Sequence, residues 1–200
     1  NFGNLTYVLS PEASDELIIT QEVLNNLGYQ YKYDHRNRLV EKKIPGKGWE
    51  YTIYDVLDRP TLTQDANLKS NNKWLFTKYD VFGRMAYTGL YLSSLDRAAM
   101  QQIASQSHNL YEVRKFTNST GTPLYYTNIV FPNVWGTIEV LTADYYDDYN
   151  IGNQITFNPI NGTAPWEGMM ISLAIKGLPT VSRVKVLGTN DWVTAATYYD

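Results

Sequence analysis

From residue 29 the chain alternates with period two, so that Tyr29, Tyr31 and Tyr33 share one side of an extended strand while Gln30 and Lys32 take the other. The matching places further on are Leu75, Thr77 and Tyr79. Trp49 and Trp74 each stand five residues before a Tyr-Asp pair. Burying both rings at the start of a hairpin would pin register, because a one-residue slip exchanges the buried and wet sets. Upstream, residues 1–10 alternate weakly and end at Pro11, as a strand would. Ser14, Asp15 and Glu16 then precede Leu17, Ile18, Val23, Leu24 and Leu27, with Gly28 where a helix would stop, and a short helix is predicted over residues 20–27.

Residues 92–107 leave the strand pattern. Ser94 can cap, Asp96 adds a carboxylate to a first turn, and Leu95, Ala98, Ala99, Met100, Ile103 and Ala104 predict a helix near 95–107. Beyond it, strands are predicted over 111–117, 124–131, 134–146, 169–175 and 182–187. The loop between residues 149 and 167 carries Gly152, Pro159, Gly162 and Pro165 and has the length of a functional loop.

Between the early strands one pattern recurs three times: Tyr33-Asp34-x-x-Asn37-Arg38, Tyr54-Asp55-x-x-Asp58-Arg59 and Tyr79-Asp80-x-x-Gly83-Arg84. The fifth position holds Asn, Asp or Gly, the residues that enter left-handed backbone at least cost, and the Asp in second place can accept from turn amides. Each copy is therefore predicted to be a hairpin turn. The copies recur after 21 and 25 residues, room for two strands of about six residues and two turns. Residues 44–48 and 64–72 supply the other connections. A supersecondary unit that repeats, and that cannot bury its apolar face alone, is the signature of an array.

The Tyr-Asp-x-x-Gly-Arg signature, complete at Tyr79 to Arg84 and lacking only its Gly at Asn37 and Asp58, resembles the YD repeat of RHS (rearrangement hotspot) proteins, relatives of teneurins and toxin-complex C components. Residues 28–91 are most similar to RHS-repeat proteins of Bacteroidetes, and Tyr198-Tyr199-Asp200 looks like the start of a further copy. The expected fold is mainly β: an antiparallel β-hairpin meander with one or two short helices. Its expected organisation is a repeat segment over 1–91, an insertion over 92–197 and the beginning of another repeat at 198–200. The resemblance implies a non-catalytic segment of a secreted or cell-surface bacterial protein, whose hairpins build a β-sheet shell around a C-terminal toxin or other cargo. Its implied partners are neighbouring repeats and an enclosed toxin domain.

Composition narrows the alternatives. Tyr supplies 17 of 200 residues and aromatics 14%, which suits strands with one partly wet face. Net charge is −3 with scattered cations, so nucleic acid is not an expected partner. There is no Cys, hence neither disulfides nor thiolate metal sites, and no run approaches the length of a membrane span. Both ends read as cuts in a longer chain.

Candidate chemistry is sparse. Asp144, Asp147 and Asp148, interleaved with Tyr145, Tyr146 and Tyr149, could serve as an acid pair on a sugar or as Ca²⁺ ligands, yet they lack the regularity and Gly of a calcium loop, and a solvated pair or degenerate repeat is the simpler account. His35 and His108 show no sign of meeting, and no G-x-S-x-G is present. Of Trp49, Trp74, Trp135, Trp166 and Trp192, the first two read as core and Trp166, in the long loop, as the candidate for stacking on a glycan. No catalytic residue, metal or cofactor is expected. A carbohydrate-binding or adhesin module is the first alternative function and a glycosidase the second. Unpaired sheet edges predict association by edge pairing.

Overall fold

The computed structural model describes residues 3–15, 18–117, 124–151, 155–156 and 174–199. Ten strands form one sheet: β1 (Tyr7–Leu9), β2 (Gly28–Tyr33), β3 (Leu39–Lys43), β4 (Trp49–Tyr54), β5 (Pro60–Gln64), β6 (Lys73–Tyr79), β7 (Met85–Leu92), β8 (Ile138–Tyr146), β11 (Pro179–Lys185) and β12 (Trp192–Ala196), ordered as written. Two short strands, β9 (Asn150–Ile151) and β10 (Ile155–Thr156), pair separately. Four short helices accompany them: α1 (Pro11–Ser14), α2 (Gln21–Leu27), α3 (Ala66–Ser70) and α4 (Arg97–Ser105). The mainly β, antiparallel meander expected from the repeats is the observed fold.

The chain divides into two compact units, Asn1–Phe76 with Tyr91–Ser107, and Thr77–Leu90 with His108–Asp200. The division does not fall at the expected boundary between residues 91 and 92. In the first unit α4 packs on β4, where Gln101 Nε2 donates to the Tyr54 carbonyl at 2.8 Å and Gln101 Oε1 accepts from the Tyr54 amide at 3.1 Å. Tyr54 lies where the β4–β5 register shifts, and such an irregularity frees backbone groups from the ladder. Arg97 at the start of α4 pairs with Glu41 of β3 at 3.1 Å. Met100 and Ala104 of α4 are buried, as are Val40, Ile53, Leu62, Trp74 and Phe76.

The second unit buries a tyrosine core. Tyr126 and Tyr145 stack with centroids 5.2 Å apart and Tyr87 lies 6.0 Å from Tyr126. Their hydroxyls are accommodated, with Tyr126 donating to the Asp144 carbonyl at 2.7 Å, as buried phenols require.

Several expectations are corrected. Helix α4 begins at Arg97 with Asp96, not Ser94, as its cap, since Asp96 Oδ1 accepts from the Ala99 amide. Asp65 caps the unexpected α3 in the same way. In β2 the buried residues are Gly28 and Gln30, while Tyr29 is exposed, because Gln30 reaches the Leu24 carbonyl and Asn25 on α2. In β6 Trp74 is buried as expected, on one face with Phe76 and Lys78, while Leu75, Thr77 and Tyr79 share the other, half-buried face. Trp49 is only half-buried beside the fully buried Trp74, with the Lys32 and Lys43 ammonium groups over its ring.

Residues 111–117 and 124–131 are not strands. Their one bridge is Arg114 with Tyr126, and side chains take the amides a ladder would use: Thr127 Oγ1 accepts from Val113, and Glu112 accepts from Ile129 and Val130. The 134–146 strand starts only at Ile138, after a turn with Gly136 at φ 93°. The last two strands cover 179–185 and 192–196 rather than 182–187 alone, and of the expected strand 169–175 only 174–175, which are not extended pairs, lie among the described residues.

Candidate functional site

The three Tyr-Asp turns are built alike. In the first, the Asp34 amide donates to the Arg38 carbonyl and the Asn37 amide to the Asp34 carbonyl, both at 3.0 Å. Asp34 Oδ1 accepts from the amides of Arg36 and Arg38 at 2.9 and 3.0 Å, and Oδ2 from Arg38 Nε at 2.7 Å. The second turn repeats this set through Asp55 with Leu57 and Arg59, the third through Asp80 with Phe82 and Arg84. Asn37, Asp58 and Gly83 stand at φ 60°, 62° and 78°. Asp satisfies the turn with one carboxylate, and Arg closes it from four residues away with a two-toothed contact. For Asp34, burial raises the carboxyl pKa, but the bonds from Arg38 and Arg36 outweigh it and hold the group below the ordinary value.

Two of these arginines reach a second carboxylate as well. Arg38 Nη1 reaches Asp58 Oδ1 at 2.6 Å, and Arg36 Nη2 meets Asp58 Oδ2 at 2.8 Å. In the second unit Arg84 makes a bidentate pair with Asp147, itself at φ 75°, at 3.0 and 2.8 Å. Arg114 does the same with Asp148 at 3.0 and 2.9 Å. Asp147 and Asp148 thus accept from two arginines while their side chains stay 36% and 51% exposed. Asp144 is set apart, its carboxyl pKa raised by burial.

A polar cluster that the sequence did not disclose lies inside the second unit. Lys78 on β6 and Glu112 both have fully buried side chains, with Lys78 Nζ 3.1 Å from Glu112 Oε1. Lys78 also donates to Asn128 Oδ1 at 2.5 Å and to the Val130 carbonyl at 2.8 Å. Glu112 accepts from the amides of Ile129 and Val130 and from the hydroxyl of Thr127. The hydroxyl of buried Tyr87 lies 3.2 Å from Glu112 Oε1 and 3.3 Å from Asn128 Oδ1, and the Lys78 ammonium sits 5.1 Å from the Tyr87 ring centre. Burial lowers the Lys78 pKa to about 8, against the opposing pull of Glu112, and raises that of Tyr87. The available signal was a position: Lys78 precedes Tyr79 as Ile53 precedes Tyr54, and Ile53 is fully buried.

No family model, curated protein or solved structure matches the chain. The reading of its function therefore rests on its own geometry. Trp166 lies outside the described residues, so the glycan candidate has no structural account. Trp192 carries the Arg183 guanidinium 5.4 Å from its ring centre, and Tyr51 carries the Lys69 ammonium at 4.7 Å. Tyr51 and Lys69 line an open cleft of about 390 Å³ in the first unit, together with Glu41, Gln64, Leu95 and Arg97. His35 and His108 are both exposed. No described helix is long and apolar enough to cross a membrane.

Proposed function

We propose that this chain is wall material: a non-catalytic structural segment of a large secreted or surface RHS-type protein, whose hairpins add to a β-sheet shell enclosing a toxin or other cargo. The observation that carries the reading is the congruence of the three Tyr-Asp turns, down to the same carboxylate-to-amide and carboxylate-to-arginine bonds in each. Repetition of one local device serves extension, since each unit meets the next through a reversal built in the same way. The strands at the two ends of the sheet order, β1 and β12, are where neighbouring repeats would pair.

Electron microscopy of the longest natural polypeptide that carries this sequence tests the reading. The expected result is a hollow shell with this segment in its wall, its β1 and β12 edges paired to adjoining hairpins. A separate module standing outside any shell, or saturable binding of a glycan by the isolated chain, overturns it.

A further inference from the structure

We propose that Lys78 and Asn128 join through an intramolecular amide bond formed by the chain itself, with Glu112 moving the proton and Tyr87 steadying the carboxamide oxygen. This goes beyond the proposed wall function and does not rest on it.

The geometry brings a nucleophile, an electrophile and a base into one buried place. The Asn128 carboxamide oxygen is 2.5 Å from Lys78 Nζ. A carbonyl bond of about 1.2 Å puts its carbon no further than roughly 3.7 Å from that nitrogen, beside the range of about 3 to 3.5 Å from which attack proceeds. Asn128 Nδ2 donates to the Asn133 carbonyl at 3.0 Å, which holds the oxygen end towards the lysine and the nitrogen end on the outer side. Glu112 Oε1 stands 3.1 Å from Nζ, within reach of its proton. Glu112 itself is a poor electrophile, being a carboxylate that accepts from Ile129, Val130 and Thr127. The Lys78 and Glu112 side chains are fully buried, so water does not compete.

The step balances without redox change. Lys78 reacts as the neutral amine, a form that its desolvated site brings within reach near neutral pH. The Nζ lone pair forms a bond to Asn128 Cγ, one Nζ proton passes to Glu112, and the carbonyl electron pair moves onto Oδ1, towards which the Tyr87 hydroxyl, 3.3 Å away and resting on the Thr127 carbonyl at 2.9 Å, turns to donate as the charge grows. Collapse restores the carbonyl and breaks the Cγ–Nδ2 bond. The proton held by Glu112 goes to the departing nitrogen, which leaves as ammonia from the half-exposed side of Asn128. Glu112 is returned unchanged. The product ties β6 to a segment 50 residues further along the chain.

Intact mass spectrometry of the folded, purified chain under denaturing conditions decides the matter. The expected mass is that of the sequence less one ammonia, with proteolysis releasing one branched peptide that contains both Lys78 and Asn128. Lys78→Arg and Asn128→Ala should each restore the full sequence mass, and Glu112→Gln should slow or abolish the loss. A wild-type mass equal to the full sequence overturns the proposal and leaves the cluster as a buried ion pair. So does an ammonia deficit that persists in Lys78→Arg, which would place the loss at another residue.

Discussion

Arg38 of the first turn pairs through Nη1 with Asp58, the left-handed residue of the second, at 2.6 Å. The arginine already closes its own turn through Nε to Asp34. One side chain thus serves two successive hairpins, and Asp, the least tolerant of the three residues found at the fifth position, has a reason to stand there. Glycine would relieve the backbone at Asp58 but would release Arg36 and Arg38 together.

At Gly83 the conformational demand is isolated from packing, because φ is +78° and nothing lies within 4 Å of where a Cβ would be. Gly83→Ala should therefore cost about 1 to 2 kcal/mol. Gly83→Asn should cost less, since Asn37 occupies the equivalent place at φ 60°. Urea unfolding of the two variants measures the difference, and equal losses would contradict the turn geometry.

Gln101 replaces a piece of ladder. With its amide gone, the Tyr54 N–H and C=O lose the partners they have at 3.1 and 2.8 Å. Gln101→Ala should destabilise the first unit by about 1 to 3 kcal/mol, whereas Gln102→Ala, at an exposed helix position, should be close to neutral. Hydrogen exchange at the Tyr54 amide should rise in the first variant only.

Asp147 gives the second unit an acid limit. The bonds from Arg84, chiefly, and from the Gly177 amide hold its carboxyl pKa below 3.8 despite partial burial. A carboxyl depressed in the folded state contributes stability that is complete above its unfolded pKa and is lost as pH falls through the folded one. The melting temperature of the wild type should fall from about pH 4 downward, and Asp147→Asn should lie lower at neutral pH and fall less steeply. Parallel curves would show that the Arg84 pair contributes nothing.

Lys78 gives a slope of the same sign at the alkaline end. In Asn128→Ala, where no joined amide can form, Lys78 stays an amine, and its folded pKa of about 8 lies below the ordinary 10.5. Between those values the unfolded chain binds more protons, so stability rises with pH across that window. Urea unfolding of Asn128→Ala should show the rise, and the same variant carrying Lys78→Met should lack it. No difference between the two would mean that the amine is solvated.

The turns were legible because their chemistry is local: six residues contain the acceptor, the donor and the left-handed position. The facing of the strands was not. Tyr29, Tyr31 and Tyr33 can pack a ring or wet a hydroxyl on either side of a sheet, and the choice was made by Gln30, whose amide is needed on α2. Likewise Trp49 and Trp74 share a repeat position but not an environment, since lysines cover one ring and full burial encloses the other.

The strands expected at 111–117 and 124–131 failed for a related reason. Their apolar content suits a ladder, but Glu112 claims the amides of Ile129 and Val130, and a sequence does not show which carboxylate will turn inward. The Lys78 cluster was hidden by distance: its members lie 34 and 50 residues apart in the chain. Only comparison of one repeat with the next, lysine against Ile53, points to it.

Because every Tyr-Asp turn completes its own bonding within six residues, a hairpin can be duplicated or deleted as a whole without redesigning the reversal itself. Only the carboxylate that greets the preceding arginine must be supplied afresh, as Asp58 and Asp147 do in different ways. Lineages carrying such a chain can therefore change its length by gene duplication, with each new link selected mainly for how it greets the one before.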